Sequence, residues 1–277
     1  MWSNFKTRVD TFLNKPGREW LFILTGILVV LIKRRRLVRI YRENGIWVHR
    51  YKDGVITDRK INYRATLDKY RLKTKDHWLF IYQPKPGDII FDIGAGKGEN
   101  TYYLSKMAGP GGKVFSIEAH PQTFLCLEKF CEYNKLTNVI PLNLAICDKE
   151  SYVMINNPEL DVSSTIVNTA NGIKVKSTSL DLLVKKYNLD YINYIKMNIE
   201  GAEILALRGM TDCIKITKYV CISGHDFIGG ETGNNQMQTA DAVIRFLQQN
   251  NFRITLRTSD SRPYIRDQIN GTNMNLV

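Results

Sequence analysis

Residues 88–104, DIIFDIGAGKGENTYYL, constrain the fold of this chain more than any other stretch. An apolar run ending in Asp92 meets glycines at alternate positions, Gly94, Gly96 and Gly98, and a helical pattern opens at Glu99. Glycine is required where the backbone takes a positive φ or must lie against another group. A glycine-rich turn between a buried strand and a helix N-terminus leaves backbone N–H groups free to meet a ligand.

The chain beyond this turn alternates strand and helix patterns, which predicts an α/β fold with a doubly wound, mostly parallel seven-stranded sheet. Strands are expected at Ile89–Ile93, 113–119, Val139–Leu144, Tyr191–Met197, 216–223 and 252–257, with the terminal INGTNMNLV as a seventh. Helices are expected at Glu99–Met107, Gln122–Asn134, Leu180–Tyr187, Glu200–Arg208 and Ala240–Asn250. The stretch between the third strand and Leu180 reads as irregular. Upstream, IWVHRYKDGVIT alternates around Asp53-Gly54, a hairpin signal. Three segments follow: 1–36 as an apolar and basic helical extension, 37–85 as a connecting subdomain with a hairpin, and 86–277 as the α/β domain.

Charge separates the same segments. Residues 1–75 hold 19 Lys/Arg against 6 Asp/Glu, a net +13, and residues 76–277 hold 20 against 21. A nucleic-acid enzyme would carry basic surface on its catalytic domain, so no nucleic-acid partner is expected. A basic arm beside an apolar run points instead to an anionic membrane surface. That run, WLFILTGILVVLI from Trp20 to Ile32, is 13 uncharged residues followed by Lys33-Arg34-Arg35-Arg36. It would span roughly 20 Å as a helix, short of the ~30 Å hydrocarbon core. Three arrangements stay open: a helix lying in one leaflet, a helix packed on protein, or a thin single anchor. The positive-inside rule leaves the α/β domain cytoplasmic in the last case. The five cysteines show no CxxC pair and no Cys/His metal spacing, which suits buried reduced thiols and predicts no metal.

Two cofactor classes use a glycine bend after the first strand, dinucleotides and S-adenosylmethionine. The dinucleotide fingerprint is G-x-G-x-x-G, whereas here the spacing is G-x-G-x-G behind Asp92. A carboxylate at this position, with Glu99 on the next helix, opposes a diphosphate and suits a cationic amino-acid moiety. Asp92, Gly94, Gly96 and Gly98 are therefore assigned to S-adenosylmethionine. Glu118, at the end of the second strand, is placed to accept hydrogen bonds from ribose hydroxyls. Asn143 and Asp148 either face the adenine edge or cap turns. The fourth strand runs into YIKMNIEGAEILALRGM, with Lys196 inside an apolar strand, Asn198 at its end and Glu200 just beyond. Ligands in open α/β sheets sit past the carboxyl ends of the strands, which brings Asn198 and Glu200 to the cofactor and the transferred group.

At these residues the chain resembles the FkbM-type methyltransferases. FDIGAGKGENTYYL, VFSIEAHP, STSLDLL and YIKMNIEGAE occur in order and at family-like spacing across 85–255. The resemblance implies the class I (Rossmann-like) methyltransferase fold and O-methylation of a sugar or polyketide hydroxyl, making the partner a small-molecule or glycan acceptor. It makes Asp92, Gly94, Gly96 and Glu118 cofactor contacts and places Lys196, Glu200, Gly201 and Glu203 in the family's strand-four signature. The family usually carries Asp where this chain has Asn198. Asn keeps a hydrogen-bond acceptor but cannot serve as a general base.

A hydroxyl acceptor benefits from a base. His225 in CISGHDF is one candidate, with Asp226 to orient it; Glu200 is the other, and Lys196 completes the catalytic set. His120 is expected to shape the adenosine pocket, and DVSSTIV (161–167) to form an acceptor-side loop. Two readings of other classes remain: an NAD-dependent oxidoreductase, which would also place an acid at Glu118, and a non-catalytic binding protein, the reading that Asn198 favours.

Overall fold

The structure is a computed structural model that describes residues 17, 20, 21, 24, 37–62, 65–156, 172–233 and 238–277. The extension 1–36, those four positions apart, and the loop 161–167 lie outside the described residues. In chain order, β1 (Leu37–Glu43), β2 (Ile46–Tyr51) and β3 (Gly54–Asp58) form an antiparallel meander. Then come α1 (Leu67–Trp78), β4 (Ile89–Ile93), α2 (Glu99–Ala108), β5 (Lys113–Ile117), α3 (Pro121–Tyr133) and β6 (Val139–Leu142). β7 (Ala145–Ile146), β8 (Ser151–Ile155) and β9 (Ile173–Thr178) make a second small sheet. The rest is α4 (Leu180–Lys186), β10 (Ile192–Met197), α5 (Glu203–Arg208), β11 (Thr217–Ser223), α6 (Asp226–Thr232), α7 (Ala240–Gln249), β12 (Phe252–Leu256), α8 (Pro263–Arg266) and β13 (Gln268–Asn273).

The expected seven-stranded sheet is present, in the order β12-β13-β11-β10-β4-β5-β6. The pairs β11–β10, β10–β4, β4–β5 and β5–β6 are parallel, and β13 runs antiparallel between β11 and β12. Strands buried on both faces read as near-continuous apolar runs, as IIFDI and INYIKM do. Successive side chains alternate between faces. Phe91 and Ile93 join Phe115, Met197 and Val220 beneath α4, α5 and α7, with the rings of Phe91 and Phe115 stacked at 4.6 Å. Ile90 joins Leu104, Phe130 and Tyr194 beneath α1, α2 and α3. The chain leaves β4 toward β5 on one side and returns as β10 on the other. The crevice of a doubly wound sheet opens at such a switch point, here past Ile93 and Met197.

One transverse row on the α1–α3 face is polar. Register places Asn270, Cys221, Lys196, Asp92 and Ser116 side by side on β13, β11, β10, β4 and β5. All five are buried.

Two expectations are corrected. The helix expected from Glu200 begins at Glu203, because Glu200 (φ 53°) and Gly201 (φ 90°) take left-handed backbone conformations that a right-handed helix excludes. The stretch read as irregular contains β8 and β9, paired antiparallel, in which Ile173 and Val175 alternate with Lys174 and Lys176.

The meander docks on α3. Its turn falls at Lys52-Asp53, one residue before the Asp53-Gly54 pair that signalled it, with Gly54 opening β3. The Asn134 side chain accepts from Val55 N–H at 2.9 Å and donates to Val55 O at 2.8 Å, while Thr57 Oγ1 donates to Cys126 O at 2.6 Å. His49 is fully buried here: Nδ1 donates to Ile56 O at 3.3 Å and Nε2 accepts from Asn62 N–H at 3.1 Å. Only the neutral ring does both. Burial outweighs the pull of Asp58 and holds the His49 pKa down at about 4, against 6.5 for the unfolded residue. A depressed histidine contributes its full stability above pH 6.5 and loses it as the pH falls toward 4. Through His49, acidification from pH 7 to 4 is expected to cost about 3 kcal/mol. Urea titrations at pH 7, 5.5 and 4.5 check this. An acid slope that persists unchanged in His49→Gln would assign the loss to other groups.

Candidate active site

The bend after β4 is pinned by its backbone. Gly94 and Ala95 N–H both donate to Ile117 O at 2.9 Å, and Asn198 N–H donates to Ile93 O at 3.0 Å. The three glycines differ in purpose. A Cβ on Gly94 (φ 71°) would lie 1.9 Å from Asn198 O, and one on Gly98 (φ 95°) 2.6 Å from the Phe130 ring. A Cβ on Gly96 (φ 58°) would meet nothing within 4 Å. Gly94 and Gly98 thus permit packing, and Gly96 borders open space.

That space is a cavity of about 520 Å³ at the switch point. Gly94, Gly96, Glu118, Lys196, Asn198, Glu200 and His225 line it. Asp92, Gly98 and Asn143 do not. The Glu118 carboxylate bridges the bend: Oε2 accepts from Gly96 N–H and Oε1 from His120 N–H, each at 2.9 Å. Burial pushes its pKa above the ordinary carboxylate value, against the pull of those two N–H donors. Asn143 donates to Glu118 O at 2.8 Å and Ala119 O at 2.9 Å, so it caps the turn that carries Glu118. Its amide is not where contact with a cofactor was expected.

The Asp92 carboxylate is likewise turned inward. It lies 3.0 Å from Lys196 Nζ and accepts from Thr101 Oγ1 at 2.8 Å. Lys196 Nζ also donates to Gly94 O at 2.8 Å and sits 5.0 Å from the centroid of the Trp78 ring. The pair Asp92–Lys196 holds the bend from below, and the ammonium is enclosed on the cavity floor. A second ion pair holds the bend from the side. Lys97 binds Asp58 at the end of β3, and both side chains are nearly inaccessible.

The far rim carries His225, 3% exposed and held at φ 54°. Its Nδ1 lies 2.9 Å from Glu203 Oε1, and its Nε2 lies 3.0 Å from Asn198 Oδ1 and 3.7 Å from Glu200 Oε2. Glu203, the first residue of α5, is wholly buried and also accepts from Thr239 Oγ1 at 3.2 Å. The carboxylate against the ring is therefore Glu203, and Asp226, the expected orienter, instead accepts from Ala240 N–H at 2.9 Å at the start of α7. Burial disfavours the charged ring, but the hydrogen bond and charge of Glu203, with Glu200, prevail and raise the His225 pKa above 6.5. Non-glycine residues at positive φ are uncommon, and strain of this kind gathers at functional sites; Glu200 and His225 face each other across this rim. The sequence reading passed over Trp78, Ser223, Tyr264 and Gln268, which also line the cavity. They come from the end of α1, the end of β11, α8 and the start of β13. Among the described residues, no group of three or more His, Cys, Asp or Glu side chains could hold a metal ion, and all five cysteines are buried.

The profile of the methyltransferase FkbM domain matches residues 92–254, more than half of the chain. The chain belongs to the FkbM methyltransferase family. With the strand order above, the fold is the class I, Rossmann-like methyltransferase fold, and S-adenosylmethionine is its cofactor. Among curated relatives, the chain is 26% identical over 148 residues to the hexuronic acid methyltransferase AglP of Haloferax volcanii, covering 53% of this chain and 60% of that one. It is 34% identical over 83 residues to the catalytic subunit TRM61 of the tRNA (adenine(58)-N(1))-methyltransferase of Yarrowia lipolytica, covering 30% of this chain and 20% of that one. The FkbM chain thus spans less than two thirds of either relative. Among solved structures, methyltransferase FkbM from Methylobacillus flagellatus KT superposes with a TM-score of 0.49 at 17% identity, covering 75% of this chain and 50% of that one.

Proposed function

We propose that this chain transfers a methyl group from S-adenosylmethionine to a hydroxyl of a sugar, within a hexuronic-acid-containing glycan. His225 carries the reading: a buried imidazole oriented at Nδ1 by Glu203, with Nε2 at the rim of the cavity that the glycine bend borders. The fit to the cofactor rests on Gly96, whose missing Cβ leaves open space beside the Glu118 carboxylate. Gly94, Gly96, Gly98 and Glu118 would hold the cofactor or shape its cradle, with Asp92, Asn143 and Lys196 fixing those groups in place. When bound, S-adenosylmethionine supplies a methyl group already activated for displacement, which leaves placement and deprotonation of the acceptor to the protein. Glu203 holds the ring through Nδ1–H; the Nε2 proton that donates to Asn198 Oδ1 in the charged ring is absent from the neutral ring, whose lone pair then lies at Nε2. There it accepts the hydroxyl proton of the acceptor. Asn198 and Glu200 flank that atom and position the hydroxyl. The hexuronic acid methyltransferase among the relatives supports the acceptor class.

Residues 1–36 are read as the attachment to an anionic membrane surface, on the strength of the +13 charge over residues 1–75 and the apolar run 20–32. No helix of the described residues is long and apolar enough to cross a membrane. A lipid-linked glycan would bring acceptor and protein to the same surface.

The test pairs binding with product. Calorimetry is expected to show S-adenosylmethionine binding that Gly96→Val abolishes, since a branched side chain would enter the opening at a φ it resists. Labelled methyl from the donor is expected in the glycan fraction of an extract. Binding without any methylated product would favour the non-catalytic reading, to which Asn198 points. Label confined to RNA would overturn the acceptor class.

A further inference from the structure

We infer that Gln268 reads a second hydroxyl of the acceptor, one that is not methylated; this rests on the sugar-methylating function proposed above. Gln268 opens β13 and is 1% exposed, yet it lines the cavity. Its Oε1 is buried and has no hydrogen-bond partner among the described residues. Nearly all buried polar groups in native folds are paired, and an orphan beside a cavity marks the place of a missing partner. Asn270, the next residue on the same face, also has an unpaired amide but lies deeper and does not border the cavity. Of these two orphaned amides, only Gln268 can meet a ligand.

The local structure ties this amide to the reacting centre. Register sets Gln268 opposite Ser223, which is buried and lines the same cavity. Asp267 binds the chain on both sides of His225: its carbonyl accepts from Gly224 N–H at 2.8 Å and its Oδ2 accepts from Phe227 N–H at 2.5 Å. Gln268 is therefore fixed relative to His225 by the residue before it. The chemistry that Oε1 selects is a hydrogen-bond donor, since an amide oxygen only accepts. A hydroxyl fits, and a carboxylate does not. His77 and Tyr264 line the cavity as well, with ring centroids 5.3 Å apart, and offer an apolar face for a pyranose ring. A polyol ring with one hydroxyl at His225 and another at Gln268 satisfies all three.

The experiment compares the full-length wild type with Gln268→Leu on a hexuronic acid glycoside and on its monodeoxy analogues. The variant is expected to lose about tenfold to a hundredfold in kcat/KM on the glycoside, with donor affinity by calorimetry unchanged. One monodeoxy analogue should impose the same loss on the wild type, and on that analogue the variant should add nothing. Equal activity of the two proteins, additive losses, or a parallel fall in donor affinity would overturn the inference while leaving the sugar reading intact. Absence of product from the wild type on every hydroxylated acceptor would overturn both. Should Gln268→Leu not fold, Gln268→Asn, which withdraws the amide by one methylene, carries the same comparison.

Discussion

Lys196→Met is expected to destabilise the fold by about 3–5 kcal/mol, the cost of stranding a buried charge. Lys196 and Asp92 are 1% and 0% exposed at their side chains and lie 3.0 Å apart in the polar row that crosses the sheet. Without the ammonium, the Asp92 carboxylate keeps only Thr101 Oγ1, and Gly94 O loses its donor. Methionine matches the length of the stem but offers neither proton nor charge. Asp92→Asn introduced into Lys196→Met should recover most of the loss, since the amide still accepts from Thr101 and no ion remains unpaired. Chemical denaturation of the four chains of this cycle gives the coupling energy. A single-variant cost below about 1 kcal/mol would show that the Asp92 carboxylate is not stranded by loss of the ammonium.

His225→Ala is expected to lower kcat by about 10²–10⁴ while leaving donor affinity within a few-fold, as for the loss of a positioned general base. The wild-type rate should rise with pH, because the working form is the neutral ring. Since Glu203 and Glu200 raise the pKa of His225, the acid limb of the profile is expected above pH 6.5. Asn198→Asp would add a negative charge 3.0 Å from Nε2, raise that pKa further and move the limb to higher pH. Glu203→Gln removes the charge at Nδ1 and should move it down. Rate profiles for the three proteins check the order. A limb that stays fixed across them would assign the titration to another group, and undiminished turnover in His225→Ala would leave Glu200 as the base.

The sequence disclosed what depends on local pattern. The glycine bend, the seven strands and the strand-four motif stand where their residues predicted them, because alternation and backbone freedom are properties of short stretches. It concealed what depends on register. Nothing in IIFDI or INYIKM says that Asp92 will lie beside Lys196, so Asp92 was expected at the cofactor rather than beneath the bend. Asn143 read equally well as a ligand or a turn cap, and its bonds to Glu118 O and Ala119 O assign it to the turn. Asp226 adjoins His225 in the chain but points to α7, whereas Glu203 arrives from the start of α5. Gln268 left no signal, since a lone glutamine near a terminus has no motif.

The grip of Asp58 on Lys97 means that the meander is more than a spacer. It hands one carboxylate to the loop that borders the cavity, so a buried ion pair ties β3 to the bend. Were donor binding to tighten that pair, reciprocity would follow: an influence that steadies β1–β3 would strengthen donor affinity, and donor occupancy would steady the meander by the same factor.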